Sequence, residues 1–280
     1  MRRLEAKTIR QAVEDLCIKA NTILRKDVLK ALKLSLKKES SAGARNILEA
    51  IIQNASIAKK EKLAICQDTG MPIVFLEVGQ QVNIRGDVNQ AVTKGIEDGY
   101  KKGYFRPSVI RDPLSRGRPQ YSPVLIHADI VRGDKMKITV LPKGFGCENK
   151  SRLCMFKPTA GFLEIKRFIL ETVKDAGPDA CPPYVVGVGI GGSAEYASLL
   201  AKKALLKDIT CGKTKNSGRN AKLEDELLKE INSLGIGPMG LGGKTTALGV
   251  KILTYPTHIA GLPVAVNISC HALRSAGTIL

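Results

Sequence analysis

The chain has no tryptophan, and its six tyrosines and six phenylalanines bring aromatics to only 4% of 280 residues. Proteins that hold single-stranded nucleic acid stack bases on aromatic faces, so this scarcity counts against that class. No apolar run approaches the roughly 20 residues of a membrane span. The N-terminal stretch MRRLEAKTIRQAVEDL carries acids and lacks the apolar core of a signal peptide, so a cytoplasmic protein is expected. C-x-x-C is also missing, which counts against a zinc-ribbon or ferredoxin-like site. The seven cysteines are an odd number scattered over a long chain. In a reducing compartment that pattern favours thiols, metal ligands or catalysis over a disulfide framework.

Positive charge, by contrast, is abundant. Lys and Arg number 44 against 26 Asp and Glu, a net charge of +18. Such a field attracts anions: nucleic acid, an acidic partner subunit, or small carboxylates and phosphates. It fits a lysine-rich solvated surface equally well. Hydrophobic residues at 44% and charged residues at 25% are ordinary for a globular protein, and the length suffices for a sizeable core. No linker clearly splits the chain. The expectation is a single domain over residues 1–280, with residues 1–60 a helical lead-in.

Periodicity gives the order of elements. Ile9, Val13, Leu16, Cys17, Ala20 and Leu24 recur at helical spacing. A second helix carries Val28, Leu29 and Leu32, with Asp27 as its cap, and a third carries Ala44, Ile47, Leu48, Ile51 and Ile52. Residues 72–79 and 81–85 read as strands, 88–101 as helix, and 103–123, rich in Arg, Pro, Ser and Gly, as a long functional loop. Residues 124–132 and 136–141 predict a hairpin around Gly133-Asp134. Helices are expected over 159–176, 193–206 and 223–234, strands over 184–190, 246–255 and 263–269, and a polar loop over 207–220.

Several motifs invite a nucleotide reading. Gly187-Val-Gly189-Ile-Gly-Gly192 matches G-x-G-x-x-G, follows a strand and opens a helix, and Asp208 follows at about the expected distance. The plainer reading is a glycine turn that brings a helix N-terminus close to an anion of any kind. Gly242-Gly243-Lys244-Thr245 comes near a P-loop, but Pro238 stands where that motif needs glycine. His127 reads as structural and Cys17 as core, while Cys147, Cys154 and Cys211 lack metal-ligand spacing. Cys66, Cys181 and Cys270 each lie at the end of an element. They are either a convergent set or three unrelated thiols.

Four segments carry a resemblance: Ala64-Ile-Cys66-Gln67-Asp68-Thr69-Gly70; Lys143-Gly-Phe-Gly146 with Glu148-Asn149-Lys150-Ser151; Ala180-Cys181-Pro182-Pro183-Tyr184; and Ile268-Ser269-Cys270. In this order they resemble class I (iron–sulfur) fumarate hydratases and the α subunits of two-subunit fumarases and L-tartrate dehydratases. The resemblance covers about residues 60–275. It implies a mixed α/β fold, an N-terminal helical region with small sheets flanked by helices. It also implies a [4Fe–4S] cluster held by Cys66, Cys181 and Cys270. Gln67, Arg106 and Gly146 are implied to bind a small dicarboxylate, and Asp68 and His258 to act in catalysis. His258 precedes Cys270 by twelve residues, as in the family. The reaction implied is reversible hydration of fumarate to (S)-malate, with dehydration of L-tartrate as the alternative. A dinucleotide- or nucleic-acid-binding module is the rival from another class. Full-length class I enzymes carry a further half that supplies a catalytic base. This chain ends ten residues after Cys270, so a separate β subunit is expected. Serine is common in relatives at the position of Cys147, and the high positive charge is unusual for the family.

Overall fold

Helix order follows the apolar stripes. The computed structural model describes residues 2–210 and 219–280; Cys211 and most of the expected 207–220 loop lie outside the described residues. In chain order the elements are β1 (Arg2–Glu5), α1 (Ala6–Thr22), α2 (Lys26–Lys38), α3 (Ala42–Glu61), β2 (Met71–Gly79), β3 (Val82–Arg85), α4 (Val88–Lys102), β4 (Leu125–Val131), β5 (Met136–Lys143), α5 (Phe145–Glu148), β6 (Arg152–Phe156), α6 (Phe162–Ala176), β7 (Tyr184–Gly192), α7 (Ala194–Ala204), α8 (Arg219–Ser233), β8 (Ala247–Thr257), β9 (Leu262–Ser269) and β10 (Ala276–Ile279). The fold is mixed α/β, as expected. No helix among the described residues is long and apolar enough to cross a membrane.

The chain divides into two compact units. One comprises Met1–Arg25, Asn54–Phe145 and Arg274–Leu280, the other Lys26–Gln53 and Gly146–Leu273. The helical lead-in is thus shared between them.

In the first unit β1 and β3 form a small parallel pair, and a four-stranded sheet runs β10-β5-β2-β4. Asp87 caps α4, its side chain accepting from Gln90 N at 2.9 Å. Apolar residues of α1 (Ile9, Val13, Leu16) and α4 (Val92, Ile96, Tyr100) pack with Val74, Leu76, Ile138 and Val140 of the sheet. The expected hairpin of residues 124–141 does not form, because β2 lies between its two arms, parallel to β4 and antiparallel to β5. The burial pattern gives the reason. Ile73–Leu76 are all buried and need a central place, whereas β4 exposes Leu125, Ala128, Asp129 and Ile130 and suits an edge. Gly133, at φ +110°, still makes the turn, but that turn wraps the end of β2: Gly79 N donates to Lys135 O and Gln80 N to Val131 O.

The second unit holds a four-stranded sheet of order β6-β9-β7-β8. Val186, Val188, Val250, Val266 and Ile268 face α6 (Ile165, Phe168, Ile169, Val173) and α8 (Leu227, Ile231) in one apolar cluster. Ala265 on the other face packs with Ala197 and Ala201 of α7. Each fully buried aliphatic side chain here contributes about 1.5–3 kcal/mol.

The P-loop-like Gly242–Thr245 segment finds an anion within the protein. Glu39, only 5% exposed, accepts from Lys244 N (2.7 Å), Ser40 N (2.9 Å) and Ser41 N (3.0 Å). Burial pushes the Glu39 pKa up, but the three backbone donors and the Lys244 charge outweigh it and hold the carboxyl below its usual value. A depressed pKa stabilises the fold above the unfolded-state value, and the contribution is lost as pH falls through the folded value. Glu39→Gln is therefore expected to cost about 1.5–3 kcal/mol at neutral pH. Urea titrations at pH 7 and near pH 3 should show the difference from wild type shrinking in acid.

Candidate functional site

The first segment of interest links α3 to β2, and the chain anchors it residue by residue. Ile65 N donates to Asn21 O (2.9 Å), and Asn54 Nδ2 donates to Ile65 O (2.9 Å). Thr69 Oγ1 donates to Arg106 O (2.9 Å), tying this segment to the long 103–123 loop. The buried Tyr100 hydroxyl donates to Thr69 O (2.8 Å), and burial above all raises its pKa and keeps it a donor. Asp68 sits at the centre. Its Oδ1 accepts from Gly70 N (2.9 Å), its Oδ2 from Phe145 N (2.9 Å), and its carbonyl from Nη2 of the buried Arg274 (2.7 Å). The Oδ1 bond is the Asx turn this residue type favours before a glycine. The Oδ2 bond reaches the turn after β5. Asp68 and Arg106 both line a cavity of about 370 Å³ in this unit, with Met71, Pro107, Ser108, Pro119 and Phe145. One carboxylate, one exposed guanidinium and an apolar wall suit a small anionic ligand. Gln67, next in the chain, is exposed, and Cys66 is half-buried.

In the second unit the segments around Cys181 and Cys270 meet. His271 N donates to Cys181 O (3.4 Å), and His271 Nδ1 lies 3.0 Å from the same oxygen. Cys181 takes the left-handed conformation at φ +53°, ψ +68°. That backbone costs a non-glycine residue on the order of 1–3 kcal/mol and clusters at functional positions. Both thiols are half-buried, as is that of Cys66, whereas Cys17 and Cys147 are buried. The Tyr184 hydroxyl is fully buried with no hydrogen-bond partner. Burial first, then Cys147, Cys181, Asp179 and Cys270, push its pKa up.

The Glu148–Ser151 motif is the scaffold that sequence reasoning left without a role. Glu148 Oε1 accepts from Lys202 Nζ (2.5 Å) and its Oε2 from Asn267 Nδ2 (3.0 Å), three residues before Cys270. Lys150 Nζ pairs with Asp179 Oδ2 (2.7 Å), two residues before Cys181. The motif thus braces both cysteine segments. Cys147 Sγ donates to Ala180 O at 3.4 Å. A serine hydroxyl can make the same bond, so Cys147→Ser is expected to leave the melting temperature at the wild-type value. A markedly lower melting temperature for that variant would show that the thiol itself is needed there.

The remaining residues fall as follows. Gly146 directly follows Phe145, and a Cβ there would meet only Asp179 O, at 3.7 Å. Packing within its unit therefore does not require a glycine. His258 is exposed on the turn between β8 and β9, its Nδ1 accepting from Ala260 N (3.1 Å). The whole length of β9 separates it from Cys270. His127 stacks on Phe75, ring centroids 5.2 Å apart. Among the described residues, no three or more His, Cys, Asp or Glu side chains are grouped so as to hold a metal ion.

A protein of Methanocaldococcus jannaschii named "Putative L(+)-tartrate dehydratase subunit alpha" is 45% identical over 278 residues, covering 96% of each chain. The "L(+)-tartrate dehydratase subunit alpha" of Escherichia coli O157:H7 is 33% identical, covering 91% of this chain and 84% of its own. That of Escherichia coli K12 is 32% identical with the same coverage. The family described as fumarate hydratase (Fumerase) matches residues 10–278, and the chain belongs to that family of hydro-lyases.

Proposed function

We propose that this chain is the α subunit of a [4Fe–4S]-dependent hydro-lyase that reversibly hydrates fumarate to (S)-malate, its active site completed by a β subunit. The observation that carries the reading is the cavity uniting Asp68 with Arg106, formed where the Cys66 segment and the turn into Gly146 are bonded through Asp68. Cys66, Cys181 and Cys270 are the proposed ligands. Their chemistry fits: they are half-buried thiols outside any disulfide, of the soft kind iron–sulfur groups use, and a buried hydroxyl without a partner lies beside two of them. When bound, a cluster with three protein ligands for four irons supplies one open iron as a Lewis acid for the substrate hydroxyl and carboxylate.

The chain's own residues supply binding and orientation. The Arg106 guanidinium is a planar fork matched to a carboxylate. Each Asp68 oxygen accepts one backbone hydrogen bond and retains a lone pair, so the carboxylate can accept a further bond from a substrate hydroxyl in fixed orientation. Gln67 offers an exposed amide beside it. Gly146 leaves room for substrate against its backbone. His258, on the exposed turn between β8 and β9, is the second proposed catalytic residue, positioning or protonating the substrate. An oxygen-sensitive open iron fits a reducing cytoplasm. The names of the relatives favour a second reading, dehydration of L-tartrate, with the same residues on a diol substrate.

Co-expression with the β subunit, anaerobic purification and steady-state assays with fumarate, malate and L-tartrate test both readings. Bound iron and sulfide with turnover of fumarate are expected; turnover of tartrate alone selects the second reading. An iron-free preparation inactive on all three defeats the proposal. Gly146→Ala separates binding from folding. Its melting temperature should stay at the wild-type value, while kcat/KM falls about 100-fold from displacement of the substrate.

A further inference from the structure

Tyr184 is the buried polar group of the second unit that the proposed reaction leaves unexplained. Its side chain belongs to an apolar cluster with Cys147, Ala180 and Ile268, against which Cys270 packs. It stands three residues after Cys181, and β7 pairs Val185 with Ser269, so the register sets Tyr184 beside the Cys270 end of β9. Phenylalanine would fill this place without a polar atom, yet the residue is tyrosine and its hydroxyl has no partner. A buried hydroxyl normally finds one. The nearby protein groups are already engaged: the Cys147 thiol donates to Ala180 O, and the Asp179 carboxylate, largely exposed, pairs with Lys150. Cys181 and Cys270, two of the proposed ligands, lie on the same side.

We propose that the Tyr184 hydroxyl donates a hydrogen bond to a sulfur atom of the iron–sulfur group, making Tyr184 a residue that tunes that group. The inference rests on the function proposed above. Hydrogen bonds to cluster or ligand sulfur stabilise the more negatively charged, reduced state and raise the reduction potential.

The test uses the complete αβ enzyme, reconstituted anaerobically. Tyr184→Phe is expected to bind iron and sulfide at the wild-type ratio, with a more negative cluster potential and shifted Fe–S stretching bands in resonance Raman spectra. Site-specific Tyr184→3-fluorotyrosine keeps the ring and strengthens the donor, so it should move the potential the other way. Equal potentials and superimposable Raman bands in wild type and either iron-loaded variant would overturn the proposal. Absence of iron from the wild-type enzyme would instead defeat the proposed function.

Discussion

Replacing Gly189 with alanine is expected to lower the melting temperature of the second unit by about 6–12 °C, the shift for a loss of about 3 kcal/mol in a domain of this size. Both glycines of the Gly187-Val-Gly189 pair face α7. A Cβ on Gly189 would stand 2.0 Å from Ala197 O, and one on Gly187 2.1 Å from Ala201 O. The obstacles are helix backbone, so no side chain can swing away. The helix would have to lift from the sheet by about an ångström and forfeit the packing of Ala197 and Ala201 against Ala265. Gly43→Ala is the control. It lies in α3, where an added Cβ would meet nothing within 4 Å, and should be neutral or stabilise by up to about 1 kcal/mol. Thermal melts of the two variants beside wild type decide it. A wild-type melting temperature for Gly189→Ala would show that α7 is not seated on these glycines.

Asp68→Ala is expected to cost about 3 kcal/mol and to abolish measurable hydro-lyase activity. Both carboxylate oxygens accept backbone N–H groups, and hydrogen bonds to a charged group are worth about 1.5–3 kcal/mol each. The buried cations Arg274 and Lys143 flank the same turn, so removing the carboxylate also strips an anion from beside two positive charges. Asp68→Asn divides the roles. It keeps an acceptor oxygen and the shape of the turn, so its melting temperature should fall by no more than about 4 °C. Its kcat should nonetheless drop with that of the alanine variant if the negative charge serves the substrate. An asparagine variant with wild-type kcat would confine Asp68 to bracing the turn.

Local patterns in the sequence located the helices well because each buries one stripe: α1, α4, α6 and α8 carry their core residues at the helical period. Pairing was harder to read. β4 and β5 flank a good turn, yet β2 takes the place between them, since its five consecutive buried residues outcompete a local hairpin for the centre of the sheet. β1, β6 and β10 escaped notice because each is short and its pairing partner lies far off in the chain. At the site, Asp68 and Arg106 were known only through a resemblance; that they share one cavity is set by the Thr69–Arg106 bond, which spacing does not encode. The same holds for the glycine-rich signatures. A phosphate-binding loop and a tightly docked helix both demand small residues. Here α7 covers Gly187 and Gly189, and Glu39 occupies the N–H of Lys244.

Because residues 274–280 belong to the first unit, that unit is interrupted by the whole run from 146 to 273. During synthesis every residue of the second unit is therefore added to the chain before β10 and Arg274 exist to finish the first. Until then β5 lacks the neighbour it later acquires, and the carbonyl of Asp68 lacks its guanidinium donor. Released chains truncated after residue 273 should resist protease across the second unit while the first is cleaved.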